Sequence, residues 1–222
     1  MGGECTMVRF RDRIDAGRQL AAVLAPHYAD SPGVIVLALP RGGVPVAFEV
    51  AQVLHAPLDV FIVRKLGVPG CEELAMGAIA TGGVRVLNAD VIAAARVSNE
   101  TLDSVCEREE RELRRRGIAY RGHGGGPELA GKTVILIDDG VATGASIKAA
   151  IEAVRRQGPG RIVVAVPVAP PSTFAELEPS IDRLFVLTSP EEFRAVGQFY
   201  DEFDQTTDEE VRELLAGGAN SR

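Results

Sequence analysis

The stretch that decides the fold runs Val134-Ile-Leu-Ile-Asp-Asp-Gly-Val-Ala-Thr-Gly-Ala-Ser146. Four aliphatic residues lead into two adjacent acids, then a loop with glycines at 140 and 144, then a helical pattern that starts near Ala145. Short runs rich in Val, Ile and Leu are typical of strands that are buried on both faces. The stretch therefore predicts a buried strand, a loop at its carboxyl end and a helix.

The same alternation extends in both directions along the chain. The predicted strands are residues 34–39, 58–63, 134–137, 161–166 and 183–187, and the predicted helices are 15–24, 44–54, 145–157 and 174–177. Strands that alternate with helices predict an α/β fold with a mainly parallel, twisted sheet flanked by helices. A ligand is expected outside the carboxyl ends of the strands.

Residues 81–131 interrupt this alternation. They predict a short strand at 84–87, a helix at 88–96, a long charged helix at 99–116 and a glycine-rich loop at 121–127. The charged helix offers three pairs at i,i+4 spacing, which are Glu107–Arg111, Glu110–Arg114 and Glu112–Arg116. We interpret it as a solvated helix that covers one sheet edge, in preference to a nucleic-acid-binding element.

Composition narrows the classes of function. The chain has 222 residues, a net charge of −7 and a sequence pI near 5.1, which argues against binding of nucleic acid or of an anionic membrane. The longest aliphatic run is far shorter than the ~20 residues of a membrane helix, and the first residues have no secretory pattern. We therefore expect a cytoplasmic protein that does not associate with membranes.

Cysteine and histidine usage indicates neither disulfides nor a protein-held metal. The three cysteines, Cys5, Cys71 and Cys106, are scattered and form no Cys-x-x-Cys pattern, so free thiols are expected. The three histidines, at positions 27, 55 and 123, have no spacing typical of a zinc site.

The loop after residue 137 has the chemistry of a phosphate site. Backbone N–H groups at the positive end of a helix favour a phosphate, and Thr143 and Ser146 add hydroxyl donors. Asp138 and Asp139 follow a strand, so their side chains point in opposite directions, and carboxylates there suit sugar hydroxyls or a shared Mg²⁺. The alternative is a structural Asp-Gly turn with a capping Thr, which α/β proteins use routinely.

This arrangement resembles the signature of the type I phosphoribosyltransferases, which binds 5-phosphoribosyl 1-pyrophosphate (PRPP). The resemblance implies that Asp138 and Asp139 contact the ribose 2- and 3-hydroxyls, directly or through Mg²⁺. It also implies a 5-phosphate loop made of Ala142, Thr143, Gly144, Ala145 and Ser146.

Two further segments are similar to loops of the same family. Leu39-Pro-Arg-Gly-Gly-Val44 is similar to the pyrophosphate loop, which often contains a cis peptide, and implies pyrophosphate contacts from Arg41, Gly42 and Gly43. Val63-Arg-Lys-Leu-Gly-Val-Pro-Gly70 resembles the start of the family's mobile catalytic loop, closest to the adenine-type enzymes. Arg64 and Lys65 would then lie near the pyrophosphate or at the loop hinge; two solvated bases at a strand end are the alternative.

The acceptor base is less well specified. Residues 189–203 are loosely similar to the closing segment of the 6-oxopurine enzymes, which implies base contacts from Phe193, Val196 and Asp201. Core packing explains the aromatic residues there equally well. Those enzymes also carry an acid where this chain has Ala142, and a Lys on the next strand, where residues 164–168 offer none. The segment at 63–70 resembles the adenine-type enzymes, whereas the segment at 189–203 resembles the 6-oxopurine enzymes. The two segments therefore point to different purine-like bases.

The resemblance implies a Mg²⁺-dependent transferase that moves the phosphoribosyl group of PRPP to a nitrogenous base and releases pyrophosphate. We expect one domain over residues 1–222, with its core at about 30–190 and a hood built from the N-terminus, residues 81–131 and the C-terminus. Family habit leaves a homodimer open. One alternative is a catalytically silent sensor of PRPP or a nucleotide. Another is an unrelated dinucleotide-type protein, disfavoured because no Gly-x-Gly-x-x-Gly follows the first strand.

Overall fold

A computed structural model of the chain describes residues 9–122 and 126–219, which form two sheets flanked by helices. The strands in chain order are β1 (Val34–Ala38), β2 (Leu58–Val60), β3 (Val63–Val68), β4 (Cys71–Ala80), β5 (Val84–Leu87), β6 (Thr133–Ile137), β7 (Arg161–Val168) and β8 (Arg183–Thr188). The helices are α1 (Arg13–Tyr28), α2 (Gly43–Leu54), α3 (Ala89–Ala94), α4 (Asn99–Arg121), α5 (Ala145–Arg155), α6 (Pro171–Leu177) and α7 (Asp208–Ala219). The α/β fold with a parallel central sheet is confirmed.

The main sheet has the order β2-β1-β6-β7-β8, and all of its strand pairs are parallel. From β1 the chain continues outward to β2 on one side of the sheet, and from β6 it continues outward to β7 and β8 on the other side. The topological switch point therefore lies between β1 and β6. Ala38 and Ile137, the last residues of β1 and β6, are register partners. Because ligands bind at such a switch point, the segments that follow β1 and β6 are placed together at the expected position.

The main sheet is buried on both faces, as its aliphatic strands predict. Along β1, Val36 belongs to the core shared with α1, α2 and α7, whereas its neighbour Leu37 belongs to the core shared with α5 and α6. Alternate residues of a strand face opposite sides, so a continuous run of Val, Ile and Leu fills both cores. The strands at the site are consequently held rigidly from above and below.

The second sheet, β3-β4-β5, is antiparallel and has α4 on one face. Leu66, Met76 and Ile79 of the sheet pack with Val105 and Cys106 of α4 in a separate apolar cluster. The expectation that the charged helix covers a sheet edge is therefore wrong, because its apolar stripe lies on a sheet face. Its three i,i+4 pairs are present, with N–O distances of 3.9, 3.6 and 2.8 Å.

Residues 58–70 differ most from the sequence prediction. The strand predicted at 58–63 ends at Val60, and β3 begins at Val63 where the Arg64–Lys65 loop was expected. β3 pairs with β4 to form a hairpin, in which Pro69 and Gly70 are the turn and Gly70 has φ +80°. The glycine and proline that indicated a loop therefore belong to a tight turn, where a positive φ favours glycine.

Several element ends also differ. α1 extends four residues beyond the predicted end at 24, α4 continues to Arg121, and α7 was not predicted. Residues 123–125 of the predicted glycine-rich loop lie outside the described residues. Cys5 does too, whereas Cys71 and Cys106 are free cysteines. Within 9–122 and 126–219, no helix combines the length and apolar character needed to cross a bilayer.

A partly buried ion pair between the second sheet and α4 provides a stability test. Glu109 of α4 is only 7% exposed and accepts hydrogen bonds from Arg64 at 2.9 Å and from Arg108 at 3.0 Å. Glu109→Ala leaves Arg64 without its carboxylate, so the free energy of unfolding should fall by about 1–3 kcal/mol. Glu107→Ala removes an exposed pair on the same helix and should cost under about 0.5 kcal/mol. Urea titrations measure both; equal losses would contradict the structural role of Glu109.

Candidate active site

The glycine loop after β1 packs directly on the acid pair after β6. A Cβ atom at Gly42 would lie 2.0 Å from Asp139 Oδ2, and one at Gly43 would lie 2.7 Å from the Ile137 carbonyl oxygen. Any side chain at these positions would therefore push the two loops apart. The peptide between Pro40 and Arg41 is cis, as the family resemblance predicts. The loops predicted to hold pyrophosphate and ribose are thus brought into contact.

The two acids have different surroundings. The Asp139 backbone N–H donates to Asp138 Oδ1 at 2.9 Å, and the Asp138 side chain lines a cavity formed by the following loop. Burial raises the pKa of Asp138 well above its usual range, and the neighbouring Asp139 charge adds to this. Burial also raises the pKa of Asp139, while the Arg13 guanidinium opposes that rise. Asp138, and not Asp139, is among the residues that line this cavity.

Asp139 is bound by residues that the sequence analysis did not identify. Arg13 Nε donates to Asp139 Oδ2 at 2.8 Å, and the Tyr200 hydroxyl donates to the Asp139 carbonyl oxygen at 2.6 Å. Burial raises the pKa of Tyr200, so its hydroxyl remains a donor. Arg13 and Asp139 lie 126 positions apart, and neither local spacing nor composition marks this contact.

The loop predicted to hold the 5-phosphate forms a concave site. Residues 140–147 line a cavity of about 200 Å³ together with Asp138 and Val196. Gly144 has φ +72° and immediately precedes α5, whose first-turn N–H groups begin at the loop. The buried Thr173 of α6 donates its hydroxyl to the Ala142 carbonyl oxygen at 3.1 Å. This geometry suits a phosphate at the positive end of a helix.

Arg41 is connected to the C-terminal helix. Its guanidinium lies 3.7 Å from Asp208 Oδ1, and Asp208 also accepts a hydrogen bond from the Tyr120 hydroxyl at 2.8 Å. Burial and this carboxylate raise the pKa of Tyr120 to about 12. A capping box between Thr207 and Glu210 starts α7, and it is the sequence signal that could have revealed this helix.

Arg64 and Lys65 face opposite sides of β3. Arg64 donates to Glu109 on α4, whereas Lys65 lines a cavity of about 550 Å³ that includes Ala145 and Lys148 of α5. Adjacent strand residues must alternate in this way. The structure therefore places Lys65 beside α5 and holds Arg64 in a partly buried ion pair with Glu109.

Of the three residues predicted to contact the base, only Val196 reaches the cavity. A Cβ at Gly140 would lie 2.6 Å from Val196 Cγ1, so the two segments are in close contact. Phe193 packs on Phe199 with ring centroids 5.2 Å apart. Asp201 pairs with Arg9 at 3.1 Å and its side chain is largely exposed. Its backbone N–H donates to the Phe10 carbonyl oxygen. Core packing thus accounts for Phe193, and Asp201 points to solvent.

The side chains at this site could bind a metal ion only together with oxygen atoms of a substrate. Among the residues that the structure describes, no three His, Cys, Asp or Glu side chains form a metal-binding group. Mg²⁺ is commonly held by one or two carboxylates together with substrate phosphates and waters. Asp138 and Asp139 fit that pattern, although Asp139 is already paired with Arg13.

Comparison with known proteins identifies the family of this chain. Two Mycobacterium tuberculosis proteins, from strains CDC 1551 / Oshkosh and H37Rv and provisionally named phosphoribosyl transferases, are each 48% identical over 209 residues. The match covers 94% of this chain and 47% of theirs, so the chain spans about half the length of these curated relatives.

Two solved structures have folds similar to that of this chain. The protein TT1426 from Thermus thermophilus has a TM-score of 0.82 and 43% identity, covering 94% of this chain and 98% of that one. The Aquifex aeolicus protein AQ2163 has a TM-score of 0.50 and 15% identity, covering 83% and 78%, a likeness of fold alone. A family model of the phosphoribosyl transferase domain matches residues 11–203. The chain belongs to the phosphoribosyl transferase domain family, which confirms the family indicated by its sequence.

Proposed function

We propose that this chain transfers the 5-phosphoribosyl group of PRPP to a nitrogenous base and releases pyrophosphate. One observation carries the proposal: the acid pair, the 142–146 loop and the Gly42–Gly43 loop meet at the switch point between β1 and β6. Each part matches one portion of PRPP, namely the ribose, the 5-phosphate and the diphosphate. A purely structural Asp-Gly turn would not require the Gly42–Gly43 loop, which matches the diphosphate.

Binding of the 5-phosphate is assigned to Ala142, Thr143, Gly144, Ala145 and Ser146. Thr143 and Ser146 are exposed in the cavity region, so their hydroxyls are accessible to an anion. The first turn of α5 adds N–H donors that have no partner within the helix. These groups would fix the sugar so that its C1 atom faces the acceptor, which removes much of the entropic barrier to reaction.

Asp138 is assigned to the ribose. Its carboxylate lines the cavity, and an ionised group there would stabilise the positive charge that builds at C1 as the bond to pyrophosphate breaks. A Mg²⁺ bound with PRPP would neutralise charge on the leaving diphosphate. Asp138 would hold this ion together with Asp139, whose carboxylate is also paired with Arg13.

The leaving group is assigned to the glycine loop and to two bases. Gly42 and Gly43 allow close backbone approach, Arg41 is one-third exposed beside them, and Lys65 faces α5. These groups would favour departure of the diphosphate by stabilising its negative charge. The Arg64 side chain is assigned to the ion pair with Glu109 and not to pyrophosphate.

A purine-like base is our first candidate for the acceptor. The similarity of residues 63–70 and 189–203 to segments of purine-type enzymes supports this candidate. Ala142 supplies no proton acceptor, so the base must present a nitrogen that attacks C1 without help from that position. These features support a neutral acceptor nitrogen and leave the choice among bases to an assay.

The direct test is release of pyrophosphate from PRPP and Mg²⁺ in the presence of a panel of purine and pyrimidine bases. Release that depends on one base, with formation of its nucleotide, would support the transferase. PRPP binding without release for any base would favour a sensor that binds PRPP without transferring it. Absence of PRPP binding would overturn both assignments.

The substitution Asp138→Asn should change PRPP affinity and thermal stability in opposite directions. The Asn side chain keeps an acceptor for the Asp139 N–H but has no charge, so calorimetric affinity for PRPP with Mg²⁺ should fall at least about tenfold. The folded pKa of Asp138 lies above its unfolded value, so its ionised form destabilises the protein at pH 7. Loss of that charge should therefore raise Tm.

Asp103→Asn is the matched control for this substitution. Asp103 is exposed on α4 and is not among the residues that line the cavity, so its loss of charge should change neither PRPP affinity nor Tm. Unchanged PRPP affinity in Asp138→Asn would contradict the assignment of this acid to the ribose.

Lys65→Ala and Arg64→Ala should have different effects although the residues are adjacent. Lys65→Ala should weaken PRPP binding about tenfold with little change in Tm, because an exposed positive charge is lost. Arg64→Ala should lower Tm and leave PRPP affinity within about threefold, because it breaks the pair with Glu109. Calorimetry and thermal unfolding measure the two quantities; the reverse pattern would contradict the placement of the two side chains.

A further inference from the structure

The loop assigned to the 5-phosphate is supported from behind by α6. Because β6 and β7 are neighbouring parallel strands, the segments that follow them start at the same edge of the sheet. The Val141 backbone N–H donates to the Val168 carbonyl oxygen at 2.9 Å, and α6 begins at Pro171, shortly after β7 ends. An ion pair between Lys148 and Glu176 joins α5 to α6. The 142–146 loop is therefore packed against the helix that follows the neighbouring strand.

Thr173, on α6, contacts the backbone of this loop. It is 3% exposed, and its hydroxyl donates to the Ala142 carbonyl oxygen at 3.1 Å. Its methyl carbon, Cγ2, lies 3.6 Å from the Cβ position of Gly144. A hydrogen bond so shielded from water fixes the orientation of the peptide, because breaking it would leave two buried polar groups without partners. Thr173 itself is not among the residues that line the cavity.

The orientation of the Ala142–Thr143 peptide decides which group the loop presents to a ligand. This peptide is trans, so its C=O and N–H groups point in opposite directions. Its C=O group is directed to Thr173 behind the loop, and the Thr143 N–H group is therefore directed away from α6. The reversed peptide would turn a carbonyl oxygen to that side, and its partial negative charge would repel a phosphate.

The N–H groups of residues 142–147 are a second observation that points to an anion. In the part of the chain that the structure describes, these groups donate to no protein acceptor, whereas the flanking N–H groups of Val141 and Lys148 donate to Val168 and Gly144. Backbone donors without partners at the start of a helix are available to an anion. The orientation that Thr173 fixes therefore adds one donor to a continuous row of them.

We propose that Thr173 is a positioning residue that holds the 142–146 loop with the Thr143 N–H group, and not the Ala142 carbonyl group, turned to the 5-phosphate. This inference rests on the proposed function and deepens it by naming a residue outside the cavity on which recognition of the 5-phosphate depends. Thr173 acts through Ala142 and does not itself contact PRPP. Its effect is confined to the 5-phosphate, since the diphosphate is assigned to the loop after β1.

Calorimetric titration with two ligands in Mg²⁺ tests this role. The first is ribose 5-phosphate, and the second is pyrophosphate, added to protein whose 142–146 loop is already saturated with ribose 5-phosphate. Thr173→Val keeps the shape of the side chain but cannot donate, so ribose 5-phosphate affinity should fall at least about fivefold and pyrophosphate affinity should stay within about twofold. Thr173→Ser keeps the hydroxyl and should bind both ligands within about twofold of the wild type.

Two further variants keep the test interpretable. Ser172→Ala removes an exposed hydroxyl from the neighbouring position of α6 and should change neither affinity. If Thr173→Val does not fold, Thr173→Ala gives the same comparison, because it also removes the hydroxyl but places no methyl group against the Ala142 oxygen. A general loss of structure would weaken both ligands alike.

The outcomes separate this inference from the proposed function. A wild-type protein that binds neither PRPP nor ribose 5-phosphate overturns the proposed function, and the inference with it. Wild-type binding of ribose 5-phosphate that is unchanged in folded Thr173→Val overturns only the inference. Equal weakening of both ligands in Thr173→Val also overturns it, as does a Thr173→Ser variant that binds ribose 5-phosphate as weakly as Thr173→Val does.

Discussion

The site depends on the accommodation of two adjacent carboxylates at the buried end of β6. Ionised acids at this depth are unfavourable unless something compensates their charge. The chain compensates one of them internally, through Arg13, and leaves the other to face a cavity. The backbone approach of the Gly42–Gly43 loop is possible only because no side chain intervenes. These constraints together produce a cavity that is lined by the Asp138 carboxylate and by the loop at the N-terminus of α5.

The parts of this arrangement that lie close together in sequence were predictable. The strands β1 and β6 are buried on both faces, so their aliphatic runs identify them, and the loops that follow must meet if the sheet is parallel. The loop and helix at residues 140–155 carry local glycine and hydroxyl signals as well. The cis peptide before Arg41 follows from the family resemblance and not from any physical signal in the residues.

The parts that depend on distant contacts were not predictable. Arg13 meets Asp139 across 126 positions, and nothing near either residue indicates the other. The strand β4 contains adjacent acids, Ala and Gly, residues that disfavour strands, and only its pairing with β3 and β5 makes it one. Once β3 is known to be a strand, the opposite directions of Arg64 and Lys65 follow from its alternation. Thr207 and Glu210 did carry a local signal for α7, which the sequence analysis overlooked.

The most direct measurement is a crystal structure of the protein with Mg²⁺ and a non-hydrolysable PRPP analogue. The account predicts the 5-phosphate on the amides of residues 142–146, the ribose hydroxyls beside Asp138, and the diphosphate on the Gly42–Gly43 loop with the Arg13–Asp139 pair intact. An analogue bound elsewhere, or a 142–146 loop that remains empty at saturating analogue, would contradict it.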